Sequence, residues 1–368
     1  MREFGPPSTA TGHRVTFSWM NSTSDYDYHL PGELIAQQPV EQRVDSRLML
    51  IDREKNSIDH YHIRDLPEIL SKNDLLVCNN SRVLPARLVG KRKKTGGRWQ
   101  GLFLDFNEDG IWRLLGKTRG KIQPGEIVVL EDPDNRKNVE IKLVARLDNG
   151  QWAAQPKSRD HAYELLDRVG RVPLPPYIRS GEMTPSDIDR YQTVFAESPG
   201  SVAAPTAGLH FTPQLLKKLD DIGVSNTFVT LHVGTGTFRP VTAEKLEEHT
   251  MHTERAWLWQ AAAAAIDQTK VAGGRVIAVG TTSVRVLESA ANATRAVKEW
   301  SGETDLFIRP PYEFKLTDGL LTNFHLPKST LLVLVRTFGG DELLKRAYEE
   351  AVEEEYRFYS YGDAMLIL

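Results

Sequence analysis

Hydrophobic and polar positions fall into distinct regimes along the chain. Between residues 83 and 156 short apolar runs alternate with polar positions: Arg87–Gly90, Trp99–Phe106, Ile111–Leu115, Ile127–Leu130, Val139–Leu147 and Gln151–Ala154. Turn-forming clusters such as Thr95-Gly96-Gly97, Gln123-Pro124-Gly125 and Asp148-Asn149-Gly150 separate them. Period-two alternation with turns every ~8–12 residues predicts five or six strands of a small all-β barrel or sandwich. Elsewhere the pattern differs. Leu75–Asn79 and Arg275–Val279 are continuous apolar, β-branched runs, as expected of strands covered on both faces. Leu48–Ile51 and Leu331–Val335 read as further strands, and Gly32–Gln37 as a short helix. Thr212-Pro213 gives a helix an N-cap and a first-turn proline, and Gly223 closes it. Helices are also expected over Trp257–Ala272, near Val284–Val297, and from Asp341 to about Tyr356.

Strands alternating with helices imply an α/β layer. The pattern therefore predicts a split α/β domain with an inserted small all-β barrel. Residues 1–21, rich in Pro, Ser, Thr and Gly, read as an unstructured extension; 22–82 plus 157–368 form a discontinuous α/β catalytic domain; 83–156 form the barrel.

Composition narrows the function classes. The 368 residues carry 46 Lys+Arg against 49 Asp+Glu, which excludes a globally basic nucleic-acid binder. A local basic face survives that test: from Arg82 to Lys121 eleven basic residues oppose three acidic ones, a balance of +8. Arg82, Arg87, Arg92, Lys93, Lys94 and Arg98 are the candidate phosphate contacts, with Trp99 beside them for stacking. A solvated hairpin tip is the alternative. The single cysteine, Cys78, excludes a disulfide framework and multi-cysteine metal sites within one chain, and its apolar neighbours predict burial. No apolar run is long enough for a membrane span, and no signal-peptide core is present, so a reducing, cytoplasmic setting is expected.

Candidate chemistry gathers at loops. Gly280-Thr281-Thr282-Ser283-Val284-Arg285 links a buried strand to a helix, where backbone N–H groups, three hydroxyls and a guanidinium suit an anion or a carboxylate. It matches neither nucleotide-binding glycine fingerprint. Helix capping alone is the plainer reading of the same residues. Gly234 and Gly236 in His232–Phe238 permit close backbone approach to a ligand. His210 follows a second glycine-containing loop, and His325 lies in Asn323-Phe324-His325-Leu326-Pro327. The spacing of His249, His252 and Glu254 fits no single face, so hydrogen-bonded contact rather than metal is expected.

Taken in order, Tyr28–Pro31 with Leu34–Gln37, Arg43 and Ser46–Leu48; Asn79–Val83; Ala204–Phe211; His232–Phe238; Gly280–Arg285; and Asn323–Pro327 resemble the S-adenosylmethionine:tRNA ribosyltransferase-isomerase family of queuosine biosynthesis. The resemblance spans residues 27 to 368. It implies transfer and isomerisation of the ribosyl part of S-adenosylmethionine onto 7-aminomethyl-7-deazaguanine at the tRNA wobble position. The product is epoxyqueuosine in tRNA, with release of adenine and methionine. S-adenosylmethionine would then be a co-substrate, with no prosthetic group or metal, and a monomer is expected. Proton transfer would fall to His210, His232 or His325, with Glu254 as the carboxylate candidate. Gly280, Thr281, Thr282, Ser283, Arg285, Gly234 and Gly236 would hold S-adenosylmethionine. A nucleoside glycosyl-bond enzyme acting on a small substrate, and a non-enzymatic RNA-binding protein, are the competing classes.

Overall fold

The computed structural model describes residues 22–134, 137–234, 243–291 and 298–368. The expected extension and Gly236 lie outside the described residues. In chain order the strands are β1 (Arg47–Asp52), β2 (Ser57–His62), β3 (Leu75–Asn79), β4 (Ser81–Val83), β5 (Arg87–Arg92), β6 (Arg98–Phe106), β7 (Trp112–Thr118), β8 (Ile127–Leu130), β9 (Val139–Arg146) and β10 (Gln151–Pro156). They continue with β11 (Gly170–Arg171), β12 (Ser198–Ser201), β13 (Ser225–Leu231), β14 (Glu254–Leu258), β15 (Val276–Val279), β16 (Trp300–Thr304), β17 (Gly319–Asn323) and β18 (Ala364–Ile367). The helices are α1 (Leu66–Ile69), α2 (Ala162–Val169), α3 (Asp187–Arg190), α4 (Pro213–Asp221), α5 (Gln260–Val271), α6 (Thr281–Ala290), α7 (Thr330–Gly339) and α8 (Asp341–Glu353).

A nine-stranded mixed sheet runs β16-β14-β13-β3-β15-β17-β18-β1-β2. Its centre, β13-β3-β15-β17, is parallel throughout. Alternate residues of β3 serve two cores. Leu75 and Val77 pack with residues of α5, α6, α7 and α8, while Leu76 and Cys78 pack with α1 and α4. Cover on both faces is why these strands read as unbroken apolar runs. β13 and β15 flank β3 on opposite sides. Connections diverge at that point, the place where open α/β sheets leave a crevice beyond their carboxyl ends.

The second sheet closes on itself. Strands β5-β6-β7-β10-β9-β8 form an antiparallel ring sealed by the β5–β8 pairing. Its core is aromatic: Trp99, Phe103 and Trp112 are fully buried. The indole of Trp99 lies against the facing pair Gly101 and Gly116; a Cβ on Gly101 would land 2.1 Å from that ring. Helix α2 adds Ala162, Leu165, Leu166 and Val169 to this core, and β11 pairs with the first half of β5. The packed unit around the barrel thus continues to Arg171, past the sequence-based limit at Pro156.

Four element readings need correction. Leu331–Val335 is not a strand but the first half of α7, capped by the Ser329 hydroxyl, which accepts from the Leu332 N–H at 3.2 Å. Residues 332–336 are all buried, so the helix shows no polar stripe to mark its period. Trp257 and Leu258 belong to β14, and α5 begins only at Gln260. Gly32–Gln37 contains only a 3₁₀ turn, Gly32–Leu34. Helix α6 starts at Thr281, three residues before the expected Val284, and 292–297 lie outside the described residues.

Candidate functional site

The carboxyl ends of the parallel strands converge on one cleft. Asn79 ends β3 and ties the edge together. Its Nδ2 donates to Leu231 O at 3.0 Å and to Thr282 Oγ1 at 3.2 Å, and its Oδ1 accepts from the Leu231 and Ser81 N–H groups. One buried, fully partnered amide thereby fixes β13, β3 and the start of α6 relative to one another. Above it opens a cleft. Its walls come from the Ala203–Ala207 loop, Gly280–Thr282, Thr322–Pro327 and the pair Tyr359–Ser360.

Gly280 turns the chain from β15 into α6 with φ +90°, a left-handed conformation that favours glycine. Thr281 and Thr282, at the positive end of the α6 dipole, line the cleft, while the Ser283 N–H is already taken, donating to Gly280 O at 3.1 Å. Ser283 does not join them: it is fully buried and its hydroxyl donates to Val279 O at 2.9 Å.

His325 lines the cleft. Its Nε2 meets Thr322 Oγ1 at 2.9 Å, its N–H donates to the Tyr348 hydroxyl at 3.0 Å, and its carbonyl accepts from the Tyr28 hydroxyl. Burial pushes the imidazole pKa down to about 3, so the ring is neutral near pH 7. His210 sits one layer back, its Nε2 accepting from Asn323 Nδ2 at 3.2 Å. Burial, reinforced by Arg43 and Arg357, also lowers its pKa to about 3. It faces a smaller pocket with Arg43 and Arg190 rather than the cleft. His232 is not a lining residue of the cleft; its Nδ1 meets Ser81 Oγ at 2.8 Å and its ring packs edge-on against Trp257. Burial and the nearby Arg255 lower its pKa.

Arg285, expected at the cofactor, turns away from the cleft. Its guanidinium binds the Glu254 carboxylate and donates to Leu306 O and Thr304 O, each at 3.2 Å. Glu254 in turn accepts from the Gly234 N–H at 2.8 Å. Glu254, Arg285 and Gly234 therefore brace α6 against β14 and the loop after β13. His249 meets Phe307 edge-to-face, ring centroids 5.5 Å apart, and no group able to hold a metal ion occurs among the described residues.

Sequence reasoning missed four cleft residues: Asn323, Tyr177, Tyr359 and Ser360. Tyr177 donates to or accepts from Ser360 Oγ at 2.7 Å and stacks on Tyr359, ring centroids 4.1 Å apart. Tyr359 holds φ +74°, an uncommon backbone for a bulky residue and a recurrent mark of functional sites. Its hydroxyl and the Asn323 Oδ1 are both buried and have no hydrogen-bond partner among the described residues. Such orphaned groups in residues that line a cleft are rare in folded proteins and mark the wall as unusual. Asn323 stood inside a quoted motif; no signal in the sequence pointed to Tyr177, Tyr359 or Ser360.

The basic stretch is less bare than its sequence balance. Arg92 is paired with Glu126 at 2.7 Å, Lys93 with Glu140, Lys91 with Glu131 and Arg87 with Glu182. Lys94, Arg98 and Arg82 are exposed.

Fold and site together define an α/β protein with a partly enclosed cleft, mostly apolar but edged by hydroxyl, amide and imidazole groups, at the carboxyl edge of its parallel strands, and a barrel displaying exposed cations. A family model described as "Queuosine biosynthesis protein" matches residues 23–367, and the chain belongs to that family. A curated relative, the S-adenosylmethionine:tRNA ribosyltransferase-isomerase of Symbiobacterium thermophilum, is 49% identical over 350 residues, covering 94% of this chain and 99% of the relative. The crystal structure of S-adenosylmethionine tRNA ribosyltransferase from Thermotoga maritima is 38% identical, with a TM-score of 0.54, covering 94% of this chain and all of that one.

Proposed function

We propose that the chain transfers and isomerises the ribosyl moiety of S-adenosylmethionine onto tRNA bearing 7-aminomethyl-7-deazaguanine at the wobble position. Adenine and methionine leave, and epoxyqueuosine-tRNA results. The observation that carries this reading is the single cleft in which Ala203–Ala207, Gly280–Thr282 and Thr322–Pro327 meet, three of the segments whose order resembles the family. Within it the start of α6 and the Thr281 and Thr282 hydroxyls hold the ribose diol or the carboxylate of the methionyl part. We take His325, which lines the cleft and is neutral near pH 7, as the candidate acceptor of the C5′ proton beside the sulfonium. His210 and His232 hold loop shape, and Glu254 and Arg285 hold α6. The exposed Arg82, Lys94 and Arg98 meet tRNA phosphates. We further infer a discontinuous α/β domain interrupted by the barrel, acting as a monomer in the cytoplasm.

The direct test incubates the protein with S-adenosylmethionine and tRNA carrying the aminomethyl base and follows free adenine. Adenine should appear only with both substrates present. Release from S-adenosylmethionine alone, or none with modified tRNA, overturns the reading.

A further inference from the structure

A second, open groove of about 530 Å³ lies beside the cleft and takes no part in the chemistry above. It is a groove between the outer face of the barrel and the strap Pro173–Pro176. Strand register sets its floor. Arg87, Leu102 and Leu115 stand in one cross-strand row, and Val89, Gln100 and Lys117 in the next. Lys91 and Arg98 face each other in the row beyond. The floor thus grades from an apolar pair through an amide to a cationic margin, and no carboxylate lines it. The nearby acids are Glu182, paired with Arg87 at 3.2 Å, and Glu131, paired with Lys91 at 3.1 Å.

The wall between groove and cleft is thin. Pro176 lines the groove and Tyr177 the cleft; Val202 lines the groove and Ala203 the cleft. Consecutive residues lie about 3.8 Å apart, so one thickness of chain at two places separates the cavities. An RNA strand that passes one base across this wall into the cleft leaves the neighbouring base on the groove side. We propose that this groove seats the nucleobase adjoining the acceptor nucleotide. The base lies against Leu102, Leu115 and Pro175, its edge meets the Gln100 amide, and its phosphate lies toward Lys117. Splayed bases held on apolar faces, read at their edges by side chains and flanked by cations, are the usual terms of single-stranded RNA recognition. This inference rests on the transferase reading, since it takes the cleft to receive the acceptor base.

The test uses the full chain and an anticodon stem-loop carrying the aminomethyl base. Companion loops replace either neighbouring base with an abasic ribose. Fluorescence anisotropy reads binding, and adenine release is followed separately. Leu115→Trp fills the groove and Gln100→Ala removes its amide. Each should weaken binding of the intact loop about tenfold, the size of a lost stacked or read base. Wild type should lose a similar factor on one abasic loop, and the variants should lose nothing further on that loop. The proposal fails if both variants, with unchanged melting temperature, bind the intact loop as wild type does, or weaken intact and abasic loops equally. Adenine release by wild type on the intact loop reads the transferase assignment alone. Its absence alongside groove-dependent binding overturns the reaction and leaves the groove. Its presence alongside groove-independent binding does the reverse. Failure of wild type to bind any loop overturns both.

Discussion

His325 and His210 carry the same perturbation for different uses. Both are buried, and both imidazoles are pushed from 6.5 to about 3. Only His325 reaches the cleft, so His325→Ala should lower kcat by about 10²–10⁴, the usual loss of a general base, with the circular-dichroism spectrum unchanged. A modest rate change with a fall in melting temperature would assign the ring to structure. The two histidines also set a pH dependence of stability. The unfolded chain takes up these protons near pH 6.5 and the folded chain only near 3, so stability is full above 6.5 and falls as pH drops through that window. Each histidine contributes a slope of up to about 1.4 kcal/mol per pH unit there. Melting temperature between pH 6.5 and 4 should therefore fall less steeply in His210→Gln than in wild type. Equal slopes would show that His210 titrates normally in the fold.

Helix α6 shows how one element divides its labour. Its first turn opens to the cleft, while its second turn is bolted down by the buried Arg285–Glu254 pair. Removing one member of a buried pair leaves the other charge unpartnered, which costs about 3–5 kcal/mol. Arg285→Ala should thus show a large loss of melting temperature, while the folded fraction keeps a near wild-type KM for S-adenosylmethionine. A raised KM at unchanged stability would return Arg285 to the cofactor. Helix α7 teaches a related point about elements. Five buried residues in a row carry no period, and only the cap at Ser329 and the packing of α8 against it distinguish helix from strand.

Over the whole molecule, the barrel gathers acids from distant sequence onto its basic hairpin. Glu126, Glu131, Glu140 and Glu182 neutralise four of the eleven cations of Arg82–Lys121. The exposed cations left for tRNA then include Arg82, Lys94 and Arg98, but not Arg92. Lys94→Ala with Arg98→Ala should flatten the salt dependence of tRNA binding by a slope of about one per lost phosphate contact. Arg92→Ala should leave that slope alone and lower the melting temperature instead. The opposite result in a filter-binding salt titration would place Arg92 on the RNA.

Local chemistry was written in the sequence wherever it acts locally. The Thr212 cap, the glycine turn at 280, the alternating barrel strands and the doubly covered β3 and β15 all follow from short-range sterics, capping and burial on one or two faces. So did the motif loops, because a loop that must approach a ligand needs particular small and polar residues in a row. What the chain order left undecided was which of those residues face one another. Ser283 sits in the same motif as Thr281, yet two helical steps of about 100° carry it to the opposite face, and Arg285, one turn on from Thr281, is drawn off by Glu254 and the carbonyls of Thr304 and Leu306, all distant in sequence. His210, His232 and His325 look alike in sequence, and only the sheet's strand order places His325 alone at the cleft wall. Tyr177, Tyr359 and Ser360 come from segments far apart in sequence, and the charge on the barrel is set by acids that folding brings to it. Contacts between distant segments are a property of packing, and that is where the tertiary structure decided the site.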